Sequence, residues 1–212
     1  YLLSMTGYKL VAFDMDGVLV EMKSSWRYIH ECFGTDNSEN RKAYLNDEIS
    51  SQEYMDKDIA MWKSIGKTVH DIEAVFENVP VMKGAHECMH ALKAEGIKTA
   101  IVSGGLGILA RRIAEEMGMD YVIANEINEN MEKGILHVSP KNKDIPLKNL
   151  ARKLRVEKEE IVSVGNSKYD VKMFKVSGMG IAFNPCDDIV VADADVVIKE
   201  KDLSLILPYI LE

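Results

Sequence analysis

The sequence predicts an α/β fold: a parallel sheet core with helices on both faces, plus a small inserted all-α domain. Through the C-terminal two-thirds of the chain, apolar segments of strand length alternate with segments of helical spacing. Strands that read as nearly continuous apolar runs are typical of parallel sheets buried on both faces. Residues 22–79 differ, because they hold both tryptophans and many charges but no segment typical of a strand.

The alternating segments define the elements of the core. The predicted strands are residues 10–13, 97–105, 120–124, 160–165, 179–183 and 194–198. The predicted helices are residues 84–95, 107–117 and 144–154, one from about 169 to 178, and a last one from about 203. Glycines follow three of these helices and suit their ends. The arrangement is Rossmann-like, and ligands on such sheets bind beyond the carboxyl ends of the strands.

The helical insert separates two parts of the core. Residues 1–21 and 80–212 are predicted to form the core domain, and residues 22–79 the insert. Glycine and polar residues near 34, 46–51 and 66 are predicted to break the insert into helices, and Pro80 marks the return of the chain. The four residues before Met5 are interpreted as a remnant that is foreign to the fold.

Composition excludes several classes of partner. The chain has 212 residues, of which 47% are hydrophobic and 28% charged, and its formal net charge is −8. This charge predicts no nucleic-acid partner and no membrane partner. No apolar run is long enough to span a bilayer, no signal peptide is recognised, and the three cysteines have no motif spacing. We therefore expect a cytoplasmic protein with reduced cysteines, and a homodimer is included among the predicted partners.

Two short motifs suggest other chemistries. "HECMH", from His86 to His90, has the spacing of a zinc site with a glutamate base, but it lacks a third ligand and also fits a polar helix face. "GLGILA", from Gly105, follows a strand and opens a helix like a dinucleotide-binding turn, with Glu126 as the acid on the next strand. The same glycines suit any turn that brings the backbone close to a phosphate.

A third set of residues is predicted to meet at one edge of the sheet. Each member has a structural explanation of its own: turn formers, helix caps or a solvated lysine. All of them are nevertheless expected on one edge of the sheet, at the ends of strands that lie side by side, with Lys143 at the start of the helix that precedes the strand "EIVSVG". The set consists of Asp14 and Asp16 after the first strand, Ser103 and Gly104 in "VSGG", Lys143, and Asn166 and Asp170 in "VGNSKYD".

In this order, these residues resemble the haloacid dehalogenase superfamily of phosphohydrolases, and within it the phosphoserine phosphatase branch. The likeness covers nearly the whole chain. Its strongest stretches are "FDMDGVLV", "VMKGAHECMHALKAEGIKTAIVSGG" and "VGNSKYDVKMFKVSGMGIAF". The resemblance implies that the helical insert is the cap domain of the family, which closes over the substrate.

The resemblance also implies a Mg²⁺-dependent phosphatase of a small phosphorylated metabolite. Asp14 would attack phosphorus to form an aspartyl phosphate, and Asp16 would protonate the leaving oxygen and later accept a proton from water. The catalytic set would be completed by Ser103 and Lys143. The implied metal ligands are Asp14, Asp16, Asn166 and Asp170. The implied substrate contacts are Ser103, Gly104, Lys143, Glu21 and Lys23.

Several positions depart from the family pattern. Asn166 stands where the family has a metal-binding aspartate, and Tyr169 where this branch often has asparagine. Lys23 aligns with a substrate-binding glutamate and Asp58 with a cap arginine, while Arg27 and Arg41 do not align with that arginine. Met22, Ser24, Ser25 and Trp26 are expected to line the cap side of the pocket. The alternative function is a catalytically weak relative that binds a phosphorylated ligand or partner, and Asn166 motivates it.

Overall fold

A computed structural model describes residues 7–211. Residues 1–6 and 212 lie outside it, and with them the outermost residues of the predicted core domain and the interpreted remnant before Met5. The described part of the chain holds seven strands and ten α-helices. The strands are β1 Leu10–Phe13, β2 Lys98–Leu106, β3 Tyr121–Ile127, β4 Gly134–Ile135, β5 Ile161–Gly165, β6 Met179–Phe183 and β7 Val196–Ile198. The helices are α1 Ser25–Phe33, α2 Ser38–Leu45, α3 Ser51–Ser64, α4 Val69–Phe76, α5 Ala85–Ala94, α6 Gly107–Met117, α7 Asp144–Leu154, α8 Val171–Phe174, α9 Asp188–Asp193 and α10 Leu207–Leu211.

The strands form one sheet in the order β4-β3-β2-β1-β5-β6-β7. Every neighbouring pair is parallel except β3 and β4, which are antiparallel. The chain passes from β1 outward through β2 and β3, and then returns to the other side of β1 as β5. Such a reversal of strand order opens a crevice at the carboxyl ends of the central strands. The crevice of this sheet therefore lies where β1 ends.

Strand β1 is buried on both faces of the sheet. Val11 and Phe13 belong to the larger apolar cluster, whereas Leu10 and Ala12 belong to a second cluster. Because successive side chains of a strand point to opposite faces, the unbroken apolar run "LVAF" fills both clusters. Asp14 is the next residue, and it is the first polar side chain as the chain leaves the sheet.

The α/β prediction is confirmed, with corrections at the edges. Strand β1 and helices α6 and α7 have the predicted bounds. The predicted helix from about 169 to 178 is wrong in length, because isolated turns on both sides reduce α8 to Val171–Phe174. The last helix begins as a 3-10 helix, Leu203–Ile206, before α10. Strand β4 and helix α9 were not predicted, since two and six residues are too short to show a clear period.

The chain between β1 and α5 is helical. Helices α1 to α4 fill it, and no strand occurs between residues 22 and 79 of the described structure. Two capping boxes, Ser50 with Glu53 and Thr68 with Asp71, start α3 and α4 by satisfying amides of the first turn. The division of the chain into 1–21 with 80–212 and 22–79 stays a prediction, because one apolar cluster includes side chains from both parts.

None of the helices within residues 7–211 combines the length and the apolar character that crossing a bilayer requires. The three cysteines are free, with Cys88 buried and Cys32 and Cys186 exposed. The cytoplasmic location and the homodimer stay predictions.

Candidate active site

Asp14 lies at the crevice, between the ends of β2 and β5. Phe13, the last residue of β1, is in register with Ile101 of β2 and with Val164 of β5, so Asp14 follows at the point where β1 ends between these two neighbours. The Asp14 side chain is buried, and its Oδ1 lies 2.8 Å from Lys143 Nζ. The parallel register therefore brings the acid of β1 to the edge where ligands bind in such sheets.

Lys143 joins Asp14 to Asp170. Its Nζ lies 2.6 Å from Asp170 Oδ1, and only 4% of the lysine side chain is exposed. Burial alone would lower the pKa of Lys143, but the attraction of Asp14 and Asp170 raises it above its ordinary value. Burial raises the pKa of Asp14, and the charge of Lys143 opposes that effect. The three side chains form a buried network in which one cation balances two acids.

Asp170 has bonds on both of its carboxylate oxygens. Besides the bond of Oδ1 to Lys143, Oδ2 accepts hydrogen bonds from the amides of Asn166 and Ser167 at 3.0 Å each and from the Ser167 hydroxyl at 3.1 Å. Asp170 is fully buried, and it does not line the cavity described below. It fixes Lys143 and the loop after β5, so its predicted role as a direct metal ligand stays a prediction.

Asp16 is held from one side only. Its Oδ2 accepts hydrogen bonds from the Ser25 amide at 2.8 Å and from the Ser25 hydroxyl at 3.0 Å, whereas Oδ1 is buried without a partner in the described structure. Gly105 packs so closely that a Cβ on it would lie 3.0 Å from Asp16 Oδ2. Burial, and after it the charge of Asp14, raises the pKa of Asp16 to about 7.

The last residues of β2 are fixed through the carbonyl of Gly104. This oxygen accepts hydrogen bonds from the Trp26 indole of α1 and from the Asn125 side chain of β3, both at 3.0 Å. The Asn125 Oδ1 also accepts bonds from the amides of His137 and Val138. Ser103 is buried beside Gly104, and its hydroxyl accepts a bond from the Gly105 amide at 3.1 Å.

A cavity of about 490 Å³ lies over these residues. One wall is formed at the strand ends by Asp14, Asp16, Ser103, Gly104, Lys143 and Asn166. The opposite wall comes from the helical insert and includes Lys23, Ser24, Trp26, Arg41, Tyr54 and Asp58. The structure thus brings every predicted catalytic residue to one cavity and covers them with the helical insert.

Not every predicted substrate contact lies in this cavity. Lys23 lines it, but Glu21 is outside it and pairs with Lys201 at 3.0 Å. Of the residues expected on the cap side, Met22 is not among the lining residues and Ser25 holds Asp16 instead. Tyr169 and Asp58 do line the cavity.

The residues present fit a magnesium ion, although residues 7–211 contain no cluster of three Asp, Glu, His or Cys side chains suited to a metal. Asp14, Asp16 and Asn166 line the same cavity, and the buried Asp16 Oδ1 has no protein partner. Carboxylate and amide oxygens are the ligands that Mg²⁺ prefers. The site therefore offers two carboxylates and one amide, which is one charge fewer than three acids would bring.

The two competing motifs have other partners. His86 pairs with Glu116 at 3.2 Å on an exposed helix face, and His90 is exposed beside it. Glu126, the acid required by the dinucleotide interpretation, pairs with Arg111. A Cβ on Gly107 would lie 2.5 Å from the Glu126 carboxylate, so this glycine permits close packing of α6 on β3.

Two residues that hold the site were missed from the sequence. Ser25 was expected in the pocket wall but not as the partner of Asp16, since that contact depends on how α1 packs. Asn125 has a local signal, because it is a buried amide at the end of the apolar strand "DYVIAN". Buried amides are nearly always hydrogen-bonded, so such a residue indicates a structural or functional contact.

Comparison with known proteins identifies the family. A family model described as haloacid dehalogenase-like hydrolase matches residues 8–178, which is most of the chain. The chain belongs to the haloacid dehalogenase-like hydrolase family. The helical insert of this hydrolase, α1 to α4, is called the cap below.

The relatives of this hydrolase include phosphoserine phosphatases. One from Archaeoglobus fulgidus is 32% identical over 184 residues. The matched region covers 83% of this chain and 52% of the Archaeoglobus protein, so this chain spans about half the length of that relative. One from Methanocaldococcus jannaschii is 28% identical over 211 residues, with 95% and 97% of the two chains covered. A solved structure described as a phospho-aspartyl intermediate analogue of phosphoserine phosphatase has a TM-score of 0.79 and 27% identity, and covers 96% of this chain and 99% of that one. The predicted resemblance and the prediction of an enzyme of this family are confirmed.

Proposed function

We propose that this hydrolase is a Mg²⁺-dependent phosphatase that releases phosphate from a small phosphorylated metabolite through an aspartyl phosphate on Asp14. The observation that carries the proposal is the buried Lys143–Asp14 pair at the switch point of the sheet, with Asp16 in the same cavity. The description of the related structure as a phospho-aspartyl analogue supports this route.

In the first half of the reaction, Asp14 acts as the nucleophile. A carboxylate oxygen of Asp14 forms a bond to phosphorus as the bond between phosphorus and the leaving oxygen breaks. Asp16 donates its proton to that leaving oxygen, so the product departs as an alcohol. Burial raises the pKa of Asp16 above that of an ordinary carboxyl, which favours a group that holds a proton and transfers it to the leaving oxygen.

In the second half, water removes the phosphoryl group. Asp16, now ionised, accepts a proton from the water as its oxygen attacks phosphorus, and the bond between phosphorus and Asp14 breaks. Inorganic phosphate leaves, and the carboxylate of Asp14 and the proton of Asp16 are restored. One residue thus serves as the acid and then as the base, which is consistent with its single-sided hydrogen bonding to Ser25.

Charge is the main obstacle to this attack, because Asp14 and a phosphate are both anions. Two unit charges about 4 Å apart repel by roughly 4 kcal/mol at an effective dielectric constant of 20. Lys143 reduces the repulsion from the protein side, since its ammonium lies 2.8 Å from Asp14. Mg²⁺, when bound by Asp14, Asp16 and Asn166, supplies further positive charge to the phosphoryl oxygens.

Ser103 and Gly104 are proposed to hold the phosphoryl oxygens. Both line the cavity, and the carbonyl of Gly104 is fixed by Trp26 and Asn125. The proposed donors are the Ser103 hydroxyl and the Gly104 amide, and donors that are fixed in advance stabilise developing charge without a cost of reorganisation at the moment of reaction. Lys23, on the cap wall, is proposed to contact the leaving group. Glu21 is left out of this set because it pairs with Lys201 outside the cavity.

The test is phosphate release from a panel of phosphorylated metabolites, beginning with phosphoserine, with and without Mg²⁺. We expect turnover of at least one ester with Mg²⁺, none after treatment with a chelator, and none for Asp14→Asn. Beryllium fluoride should form an adduct on Asp14 in crystals of the wild-type protein. Equal phosphate release by the wild type and by Asp14→Asn would contradict the proposal.

Asn166 favours a second function, in which the protein binds a phosphorylated ligand with negligible turnover. The amide brings less charge to the metal than a carboxylate would. Thermal stabilisation by a phosphate ester, without any release of phosphate at saturating Mg²⁺, would favour this second function.

A further inference from the structure

Asp58 is a buried acid in the cap wall of the cavity. It belongs to α3, its side chain is 1% exposed, and it lines the same cavity as Asp14 and Lys143. Its Oδ2 accepts a hydrogen bond from Asn37 Nδ2 at 3.1 Å, whereas Oδ1 has no partner in the described structure. One half of this carboxylate is thus satisfied by the protein and the other half is not.

The neighbouring histidine lies close to the satisfied oxygen but hydrogen-bonds to neither oxygen of Asp58 in the described structure. The indole of Trp62 donates to His30 Nδ1 at 3.1 Å, so the ring proton of a neutral His30 is on Nε2. That Nε2 lies 3.3 Å from Asp58 Oδ2. The Trp62 indole and the Thr35 hydroxyl hold Nδ1 of the imidazole, while Nε2, like Asp58 Oδ1, has no hydrogen-bond partner in the described structure.

No cation of the cavity neutralises Asp58. Lys23 and Arg41 line the cavity, but neither forms an ion pair with any acid within residues 7–211. Buried polar atoms without a partner are rare in folded proteins, and each calls for an explanation. Because Asp58 lines the cavity, a donor on a bound ligand would satisfy this oxygen.

We propose that Asp58 determines substrate specificity by accepting a hydrogen bond from an ammonium or hydroxyl group on the leaving part of the substrate. The proposal rests on the proposed function, since it concerns the end of the same cavity that lies away from Asp14. It names the substrate class as small phosphate monoesters whose alcohol carries such a donor. Esters with a purely apolar leaving group would leave the carboxylate buried and unpaired.

The experiment compares three matched series of substrates: ω-aminoalkyl, ω-hydroxyalkyl and n-alkyl phosphates of increasing chain length. We expect the wild type to prefer the amino or hydroxyl series over the alkyl series of equal length, by roughly tenfold in kcat/KM. Asp58→Asn keeps the size of the side chain and should lower that preference to near unity. The series that loses its preference shows whether the donor is an ammonium or a hydroxyl.

Matched variants separate specificity from folding. Asp58→Ser is the second variant in case the amide perturbs the packing around His30. Asp56→Asn is the control, because Asp56 lies on the same helix but contacts the Gly134 amide and Gln52 instead of the cavity. A structural defect lowers all three series together, so only a change in their ratio supports the proposal. Ratios that are equal in the wild type and in both Asp58 variants would overturn it.

A binding measurement distinguishes this inference from the proposed function. The corresponding phosphonates cannot be hydrolysed, so calorimetric titration with Mg²⁺ present tests recognition without turnover. Tighter binding of the ω-amino or ω-hydroxy phosphonate by the wild type, lost in Asp58→Asn, supports the inference even if no ester is hydrolysed. Turnover of the esters without any preference between series would leave the proposed function standing and overturn the role of Asp58.

Discussion

Lys143 lies between two buried carboxylates, and its removal would leave them without a cation. The ammonium is within 2.8 Å of both Asp14 and Asp170. Breaking a buried ion pair by removing one partner is costly, because the remaining charge has neither water nor a counter-ion. The residue is therefore expected to affect stability as well as activity.

Lys143→Met should lower the free energy of unfolding by about 3–5 kcal/mol near neutral pH. Burial already raises the pKa of Asp14, and without Lys143 that pKa rises further. A raised folded pKa means that the folded state binds the proton more tightly, so stability falls as pH rises above the unfolded value of about 3.9. Urea unfolding should therefore show a larger loss at pH 8 than at pH 5.

Lys148→Met is the matched control for that variant. Lys148 and Asp144 both belong to α7, the helix that begins directly after Lys143, and they form an exposed ion pair at 2.9 Å. Pairs of this kind contribute about 0.3–0.5 kcal/mol, so the control should change little at either pH. An equal loss of stability for Lys143→Met at pH 5 and pH 8 would show that the buried acids are not the cause.

Asn166→Asp tests the metal site. The added carboxylate should tighten Mg²⁺ binding, since ligand charge is a main determinant of affinity for hard cations. We expect both the Mg²⁺ concentration for half-maximal activity and the calorimetric Kd to fall. Asn149→Asp adds the same charge on an exposed face of α7 and should change neither value. Unchanged Mg²⁺ affinity in Asn166→Asp would place this side chain outside the coordination sphere.

At the scale of elements, helix α1 connects the cap to the catalytic edge of the sheet. Its first turn supplies Ser25 to Asp16 and the Trp26 indole to the carbonyl of Gly104. The Trp26 ring also stacks on Trp62 of α3, with ring centroids 5.5 Å apart. The position of the cap is thus transmitted to the end of β2, where Ser103 and Gly104 are proposed to hold the phosphoryl group.

Trp26→Phe removes the N–H donor and keeps an aromatic ring against Trp62. The Gly104 carbonyl then keeps only the hydrogen bond from Asn125. The end of β2 is less firmly held, and small displacements of a group that positions the substrate reduce the rate strongly. We expect a severalfold loss in kcat/KM and a loss of about 1 kcal/mol in stability. Asn125→Ala should have a larger effect, because Asn125 makes four hydrogen bonds.

The double variant decides whether the two residues act on the same peptide. Because Trp26 and Asn125 donate to one oxygen, their effects on kcat/KM should not be additive. Strictly additive effects, or no effect of Trp26→Phe, would mean that the indole does not position the end of β2.

Elements with a strong local pattern were predicted well, and elements that depend on distant contacts were not. Helix α7 was predicted with its exact bounds because an acid begins it and its apolar face is regular. Strand β4 escaped prediction because it exists through β3 and through contacts with α3: Gln52 donates to the carbonyl of Gly134, and the Gly134 amide donates to Asp56. No local pattern in two residues can report such contacts.

At the scale of the molecule, the site likewise combines residues that a local pattern predicts with residues that depend on distant contacts. Asp14 and Ser103 could be predicted to meet, because the ends of parallel strands converge where the sheet reverses its order. Lys143 precedes α7 and follows no strand directly, so its place in the site was supported by the family resemblance. The partners that hold these residues could not be predicted, since Ser25 and Trp26 reach the site only through the packing of cap on core. From the sequence, Asp58 could only be aligned with the cap arginine of the family, and its unpaired oxygen appears only in three dimensions.

The cap and the core share one apolar cluster. Ile59, Trp62 and Phe76 of the cap belong to the same cluster as Val11 and Phe13 of the sheet. Separating the two parts would expose apolar surface on both, at roughly 25 cal/mol per Å². We therefore expect cap and core to unfold together, in spite of the insertion in the sequence.

The two tryptophans allow a direct test, because both lie in the cap while circular dichroism reports on the whole chain. We expect fluorescence and far-UV circular dichroism to give the same urea midpoint and the same slope, as a two-state transition requires. Phe76→Ala, which removes a buried ring from the shared cluster, should cost about 3–5 kcal/mol and move both transitions equally. A fluorescence transition that precedes the circular dichroism transition, or that alone moves in Phe76→Ala, would show that the cap unfolds as a separate unit and that the shared cluster does not bind it to the core.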